Sequence, residues 1–377
     1  MTAHALLSAS GSKRWLSCTP SAKLEATLPE QKRGSGAFDF SQEGTTAHTL
    51  AEAKLRYHFG QIGTEEYENE VSTIKATPYY NDDFEAHVDS YVLYVRSQIG
   101  EGDTPLFEQR VDFSDWVPDG FGTADVVILS KHAIRVIDLK FGKGIPVHAQ
   151  DNPQLRLYAL GAYSKFKEEF PEIKEVSYTI HQPRLDSIST DGTTISKLVD
   201  WANYFVKPKA KKAWSGAGEF LPGEWCGFCR AKAQCRARSD YNTELARQEF
   251  KEPVLLTEEE VSEVLVKAQN LKTWVNDVEE FALNRAVDQG VIPPGYKLGM
   301  TVTHRKISDS QLAATVLVEK GMSPEVIWEQ PKLKSISVLE KLGPKGQVVS
   351  WLGELVQRPE GAPKLIRSKE DAKEDFA

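Results

Sequence analysis

Apolar and polar positions alternate, then cluster, in a pattern that predicts an α/β protein. Residues 105–113, PLFEQRVDF, alternate as a strand does. Two short apolar runs follow, Ala124–Leu129 and Ala133–Ile137, joined by Ser130-Lys131-His132, which predicts a β-hairpin. KEVSYTIHQ at 174–182 predicts a further strand. Helical spacing is predicted over 43–59, over 81–98 and in the segment opening at Gln154. A long amphipathic helix is expected from Thr257 to Asp288, opened by a capping box with Glu260 and ended by Gly290 and Pro293-Pro294. QKRGSGAFDFSQ, 31–42, predicts a loop. The order is helix, strands, helix, strand, helix, so the core is expected to be α/β around a central mixed sheet flanked by helices. Residues 295–367 predict a strand and three short helices, a smaller, mostly helical C-terminal domain. The expected organisation is a main domain over 1–240, a helical linker over 241–292, an accessory domain over 293–367 and a disordered tail over 368–377.

Composition narrows the class. At 377 residues, with 40% hydrophobic and 27% charged positions, the chain can bury a large core. No run approaches the ~18 apolar residues of a membrane helix, and the start lacks a basic-then-apolar signal pattern, so a cytoplasmic protein is expected. The net charge of −8 does not advertise nucleic-acid binding, but charge is uneven. Residues 207–238 carry eight Lys or Arg against two Glu, a local +6.

Chemistry concentrates at the hairpin. Asp125 opens its first strand, Asp138 closes the second, and Lys140 follows on the same face if the strand continues. Two carboxylates and an ammonium suit a hard cation with an anionic substrate. His48 and Glu52 share one helix face, as do Gln154 and Tyr158. Taken singly, His48 reads as an ordinary histidine of an amphipathic helix and Cys18 as a small buried residue. Cys226, Cys229 and Cys235 form C-x2-C-x5-C. Three thiolates leave a closed metal site one ligand short, and Cys18 is the only other cysteine. A 1+3 layout favours a [4Fe–4S] cluster over zinc, whose ribbons use 2+2, with unligated thiols the remaining reading. A metal there would staple the N-terminus to the segment after the core.

This layout resembles the iron-staple nucleases of the PD-(D/E)XK superfamily, including the AddB nuclease domain and CRISPR-associated iron–sulfur exonucleases. More closely, residues 10–240 resemble a phage and prophage family linked to recombination. His48 in EGTTAHTLAE looks like the first-motif histidine, Asp125 in GFGTAD like the G-x-x-D aspartate, Asp138-Leu139-Lys140 like the (D/E)-x-K element, and Gln154 with Tyr158 like Q-x-x-x-Y. The chain departs in having GTAD for PD and Asp as its second acid. The resemblance implies a restriction-endonuclease-like core and a metal-dependent DNA exonuclease of phage recombination or repair, in a bacterial cytoplasm. His48, Asp125, Asp138 and the Leu139 carbonyl would hold Mg2+ or Mn2+, and Lys140 would assist the attacking water. Cys18, Cys226, Cys229 and Cys235 would hold the cluster. Gln154 and Tyr158 would contact DNA. Lys207, Lys211, Lys212 and Arg230, together with Lys209, Lys232, Arg236 and Arg238, would line its path. Trp201, Trp214 and Trp225 could stack on bases, although packing in a small core is the favoured reading. Glu52 and Glu108 lie near the site by motif position and are expected to be solvated charge. A phage single-strand-binding or annealing protein is a candidate partner, and an oligomer is compatible. The alternatives are a non-catalytic DNA-binding recombination scaffold and a redox sensor.

Overall fold

A computed structural model describes residues 5–29, 40–144, 146–246 and 257–298. Its centre is a five-stranded mixed sheet in the order β1-β2-β3-β4-β5. The strands are β1 (Thr104–Asp112), β2 (Phe121–Leu129), β3 (Ala133–Leu139), β4 (Glu175–Gln182) and β5 (Ser187–Thr194). All neighbours pair antiparallel except β3 with β4. That parallel step needs a crossover, and helix α6 (Pro153–Phe166) supplies it.

Both faces of the sheet are covered, which is why β2 and β3 read as near-continuous apolar runs. Val127, Leu129, Ile134 and Val136 face one core, formed with α6, α1 (Ser12–Ser17), α7 (Ile195–Trp201) and α8 (Lys207–Ser215). Val126, Ile128, Ile137 and Leu139 face a second core with α3 (Phe40–His58), α4 (Thr64–Lys75) and α5 (Asp82–Ser97). The expected hairpin, its turn and the helices at 43–59 and 81–98 are present within a few residues. Asn81 caps α5 by accepting the Phe84 N–H at 2.9 Å.

Helix α6 begins with Pro153 after Asn152, whose side chain accepts the Gln154 and Leu155 N–H groups. It lies so close to β1 that a Cβ on Gly161 would stand 2.9 Å from Val111 Cβ. The basic segment after 206 begins as helix α8, seated on α1 and α2 (Ser21–Ala26). Helix α9 (Arg236–Ala246) follows the cysteines, and the expected long helix is α10 (Glu258–Gln289), with its capping box and Gly290 stop. α10 packs on α9, where its buried Asp277 pairs with Lys232 at 2.6 Å and Arg238 at 2.5 Å. The expected accessory domain beyond residue 298 and the tail at 368–377 lie outside the described residues, as does most of the 31–42 loop.

His181, on β4, is 3% exposed and lies against the rings of Tyr91 and Tyr94. Burial pulls its imidazole down to about 4. The unfolded chain therefore binds this proton first as pH falls. The neutral ring's stabilising effect is complete above about 6.5 and lost between about 6.5 and about 4, of the order of 3 kcal/mol. Replacing His181 by Phe is expected to flatten the fall in thermal midpoint across that window, as followed by circular dichroism.

Candidate active site

The β2–β3 ladder stops at the Val126↔Ile137 pair. The next residue on each strand is an aspartate. Asp125 Oδ2 accepts the Leu139 N–H at 2.7 Å, filling the place of a strand carbonyl. Its other oxygen lies 3.3 Å from Nδ1 of His48, brought by α3. Asp138 is only 2% exposed. Its Oδ2 stands 3.0 Å from Lys140 Nζ but takes no hydrogen bond among the described residues. Lys140 Nζ also donates to Gln154 Oε1 at 3.3 Å, and Gln154 Nε2 donates to Asp138 Oδ1 at 3.2 Å and to the Tyr158 hydroxyl at 3.1 Å. One turn of α6 is thereby wired to the end of β3. Gly122 makes this possible, since a Cβ there would stand 2.8 Å from the Tyr158 ring.

Glu108 belongs to the site, contrary to its reading as solvated charge. It stands opposite Asp125, between the intact pairs Phe107↔Val126 and Gln109↔Ala124, and its φ of 44° is left-handed. Such a backbone costs about 1–3 kcal/mol for a non-glycine and concentrates at functional sites. Alternation in PLFEQ signals a strand and gives no sign of this single twisted residue. Ligand atoms of His48, Glu108 and Asp125 all lie within 4.8 Å of one another. Glu52, one turn beyond His48, instead pairs with Arg56 at 3.6 Å.

Crowded like charges dominate the electrostatics. Burial pushes Glu108 up to about 7, with the Asp125 charge adding to it. Burial and Asp125 also hold Asp138 above the usual carboxylate range, despite Lys140. Burial pushes Asp125 up too, but the charge and hydrogen bond of His48 outweigh it and hold this carboxyl low. Burial pulls His48 down, yet Asp125, Asp138 and Glu108 override it and lift it to about 9. Lys140 is raised in the same way, Asp138 and Asp125 outweighing its burial. Surplus negative charge among crowded carboxylates fits a divalent cation, and the His48, Glu108 and Asp125 donors suit one. Leu139 touches this cluster through its N–H, which Asp125 accepts.

The four cysteines line one pocket, with Arg14, Leu221 and Trp225 among its other walls. Cys18 ends α1, while Cys226 and Cys229 flank Gly227-Phe228. Burial raises the Cys18 thiol and pushes that of Cys229 up to about 12, with neighbouring thiols adding to both. Arg14 pairs with the buried Glu25 at 2.5 Å, and Glu25 accepts the Arg230 N–H at 2.7 Å. Arg230, expected on a DNA path, spends its guanidinium on the carbonyls of Leu28 and Pro29. Lys232 and Arg238 are likewise engaged by Asp277. Lys207, Lys211 and Lys212 are exposed on α8. Trp201 and Trp214 pack partly buried against the first core, and Trp225 donates its indole N–H to Leu221 O at 2.8 Å.

These features define an α/β protein with a histidine–carboxylate–lysine cluster at the split end of a mixed sheet. Over residues 4–374 the chain matches the family DUF2800, described as a protein of unknown function, and it belongs to that family. Two solved structures are similar. A "Putative exonuclease" from Eubacterium rectale shares 13% identity, over 59% of this chain and 86% of that one, with a TM-score of 0.35. The protein SSO0001 shares 15% identity, over 58% of this chain and 95% of that one, with a TM-score of 0.23.

Replacing Glu108 by Gln removes one charge from the cation-binding group without changing its size. Mn2+ affinity, read from the loss of the free-ion electron paramagnetic resonance signal, is expected to fall about 10-fold or more, with the thermal midpoint preserved.

Proposed function

We propose that this protein is a Mg2+- or Mn2+-dependent deoxyribonuclease, acting as an exonuclease in phage recombination or DNA repair within a bacterial cytoplasm. The observation that carries this reading is the convergence of His48, Asp125, Asp138 and Lys140, four residues from three elements, with Gln154 and Tyr158 wired to them. A bound divalent cation would supply charge neutralisation at the phosphate and a more acidic water. His48, Glu108, Asp125 and Asp138 would hold it. Lys140 would orient or help deprotonate the attacking water, or offset charge developing on phosphate oxygens. Gln154, locked between Asp138, Lys140 and Tyr158, positions the DNA backbone beside them. The nuclease domain on this reading is 1–240, with 241–292 as a helical linker, 293–367 as an accessory domain and a disordered tail at 368–377. A phage single-strand-binding or annealing protein is the proposed partner.

The cysteine pocket is proposed to hold a [4Fe–4S] cluster. What supports this is that the four cysteines line one pocket and that three of them follow the core as C-x2-C-x5-C, a 1+3 layout that favours a cluster over the 2+2 of zinc ribbons.

End-labelled DNA with Mg2+ or Mn2+ tests the nuclease. Degradation from an end is expected, with Asp138→Ala slowing it by about 10²-fold or more. Equal degradation by both proteins would sink the assigned site, and binding without cleavage in either ion would favour the scaffold reading. For the cluster, anaerobically purified protein is expected to be brown. Cys18→Ala should lose the visible absorbance and lower the thermal midpoint, whereas a colourless, zinc-loaded protein would refute the cluster.

A further inference from the structure

We propose that the π-turn between α7 and α8 is a stacking site for single-stranded nucleic acid, with unpaired bases as its ligands. The choice of ligand rests on the DNA-cleaving reading above; the geometry does not.

Residues Ala202–Val206 form a π-turn that joins α7 to α8 in one continuous helical run. The cause lies in the packing. Leu198, Ala202, Val206 and Ala210 are all fully or almost fully buried, each four residues after the last. Four residues of α-helix advance about 400°, so three such steps would drift roughly 120° off the core. The wider i→i+5 turn absorbs that drift, and such turns recur at functional sites. Its other side carries Asn203, Tyr204 and Phe205 outward. Asn203 is engaged, accepting the Trp116 indole N–H at 3.0 Å.

The two aromatics are placed differently. Phe205 stacks on Trp201 with ring centres 6.4 Å apart and planes 21° apart. Lys209 Nζ lies 4.3 Å from the Phe205 centre, and the Arg156 guanidinium lies 5.5 Å from that of Trp201. Cation, indole, phenyl and cation thus form one array, with each ring against a positive group. Tyr204, beside it, is 82% exposed. A single exposed aromatic is ordinary; a tyrosine on a widened turn next to a cation-flanked aromatic pair is a platform.

Charge selects the occupant. Between Lys197 and Ser215 there are five lysines and one acid, Asp200, a local +4 in a chain of −8. Protein-binding patches are depleted in lysine at their centres, whereas ring faces set among lysines are what single strands use, bases on the rings and phosphates on the cations. Arg156 reaches the array from α6, where it pairs with Asp151 at 2.6 Å and lies 3.8 Å from Asp191.

The test uses the full chain as purified, without added divalent ion, and a labelled single strand of roughly 20 nucleotides followed by fluorescence anisotropy. Tyr204→Ala is expected to weaken binding about 5- to 150-fold, the range for loss of one stacked base. Tyr204→Trp should restore it, and the thermal midpoint should hold because the side chain is exposed. Inorganic polyphosphate, which carries the charge without bases, should compete equally with both proteins. The proposal is overturned if Tyr204→Ala binds the strand as tightly as the native chain, or if polyphosphate binding falls in parallel. Tyr204-dependent binding without Asp138-dependent cleavage would overturn the nuclease reading alone. Cleavage with no Tyr204-dependent binding would overturn the platform alone.

Discussion

The site exists because β2 and β3 stop pairing one residue too early for their own carboxylates. At Asp125 the backbone ladder has ended, and the side chain takes up the Leu139 N–H in its place. One half-buried acid therefore holds the splayed strand ends at a defined separation while presenting its second oxygen to His48. Without that bond, the Leu139 amide would be a buried donor with no partner, at about 1–3 kcal/mol. Fold and site thus share a single contact, and a change at Asp125 acts on both.

The carboxylates are brought together against their mutual repulsion. His48 and Lys140 compensate in part, and the rest is visible as raised proton affinity at Glu108 and Asp138. A Glu108 held in a left-handed conformation adds backbone strain to this electrostatic load. Such a cluster is pre-organised for positive charge from outside, because the protein does not supply enough of its own.

How much of this could be read along the chain varies with the physics involved. The hairpin, α6 and α10 were legible because their apolar periods, caps and stops act locally. The placement of Asp125, Asp138 and Lys140 was legible because they bound apolar runs whose face is fixed by alternation, and that of Gln154 and Tyr158 because they stand one helical turn apart. β5 was not, since SISTDGTT has almost no apolar signal and is a strand because β4 offers it an edge. α4, TEEYENEVSTIK, is mostly charged and buries only Val71 and Ile74. Glu108 was misread because its backbone twist is imposed by tertiary contacts. Arg230, Lys232 and Arg238 were expected to line a DNA path, yet their partners are the distant Leu28, Pro29 and Asp277, which charge counting along the chain does not reveal.

The pairing of Asp277 has a thermodynamic corollary. Lys232 and Arg238 are walls of the thiol pocket, and both are held by one carboxylate from the middle of a 32-residue helix. Any ligand of the pocket that preferred the conformation with α10 docked would tighten that docking by the same factor, so these two ion pairs are where the helix and the pocket could feel one another.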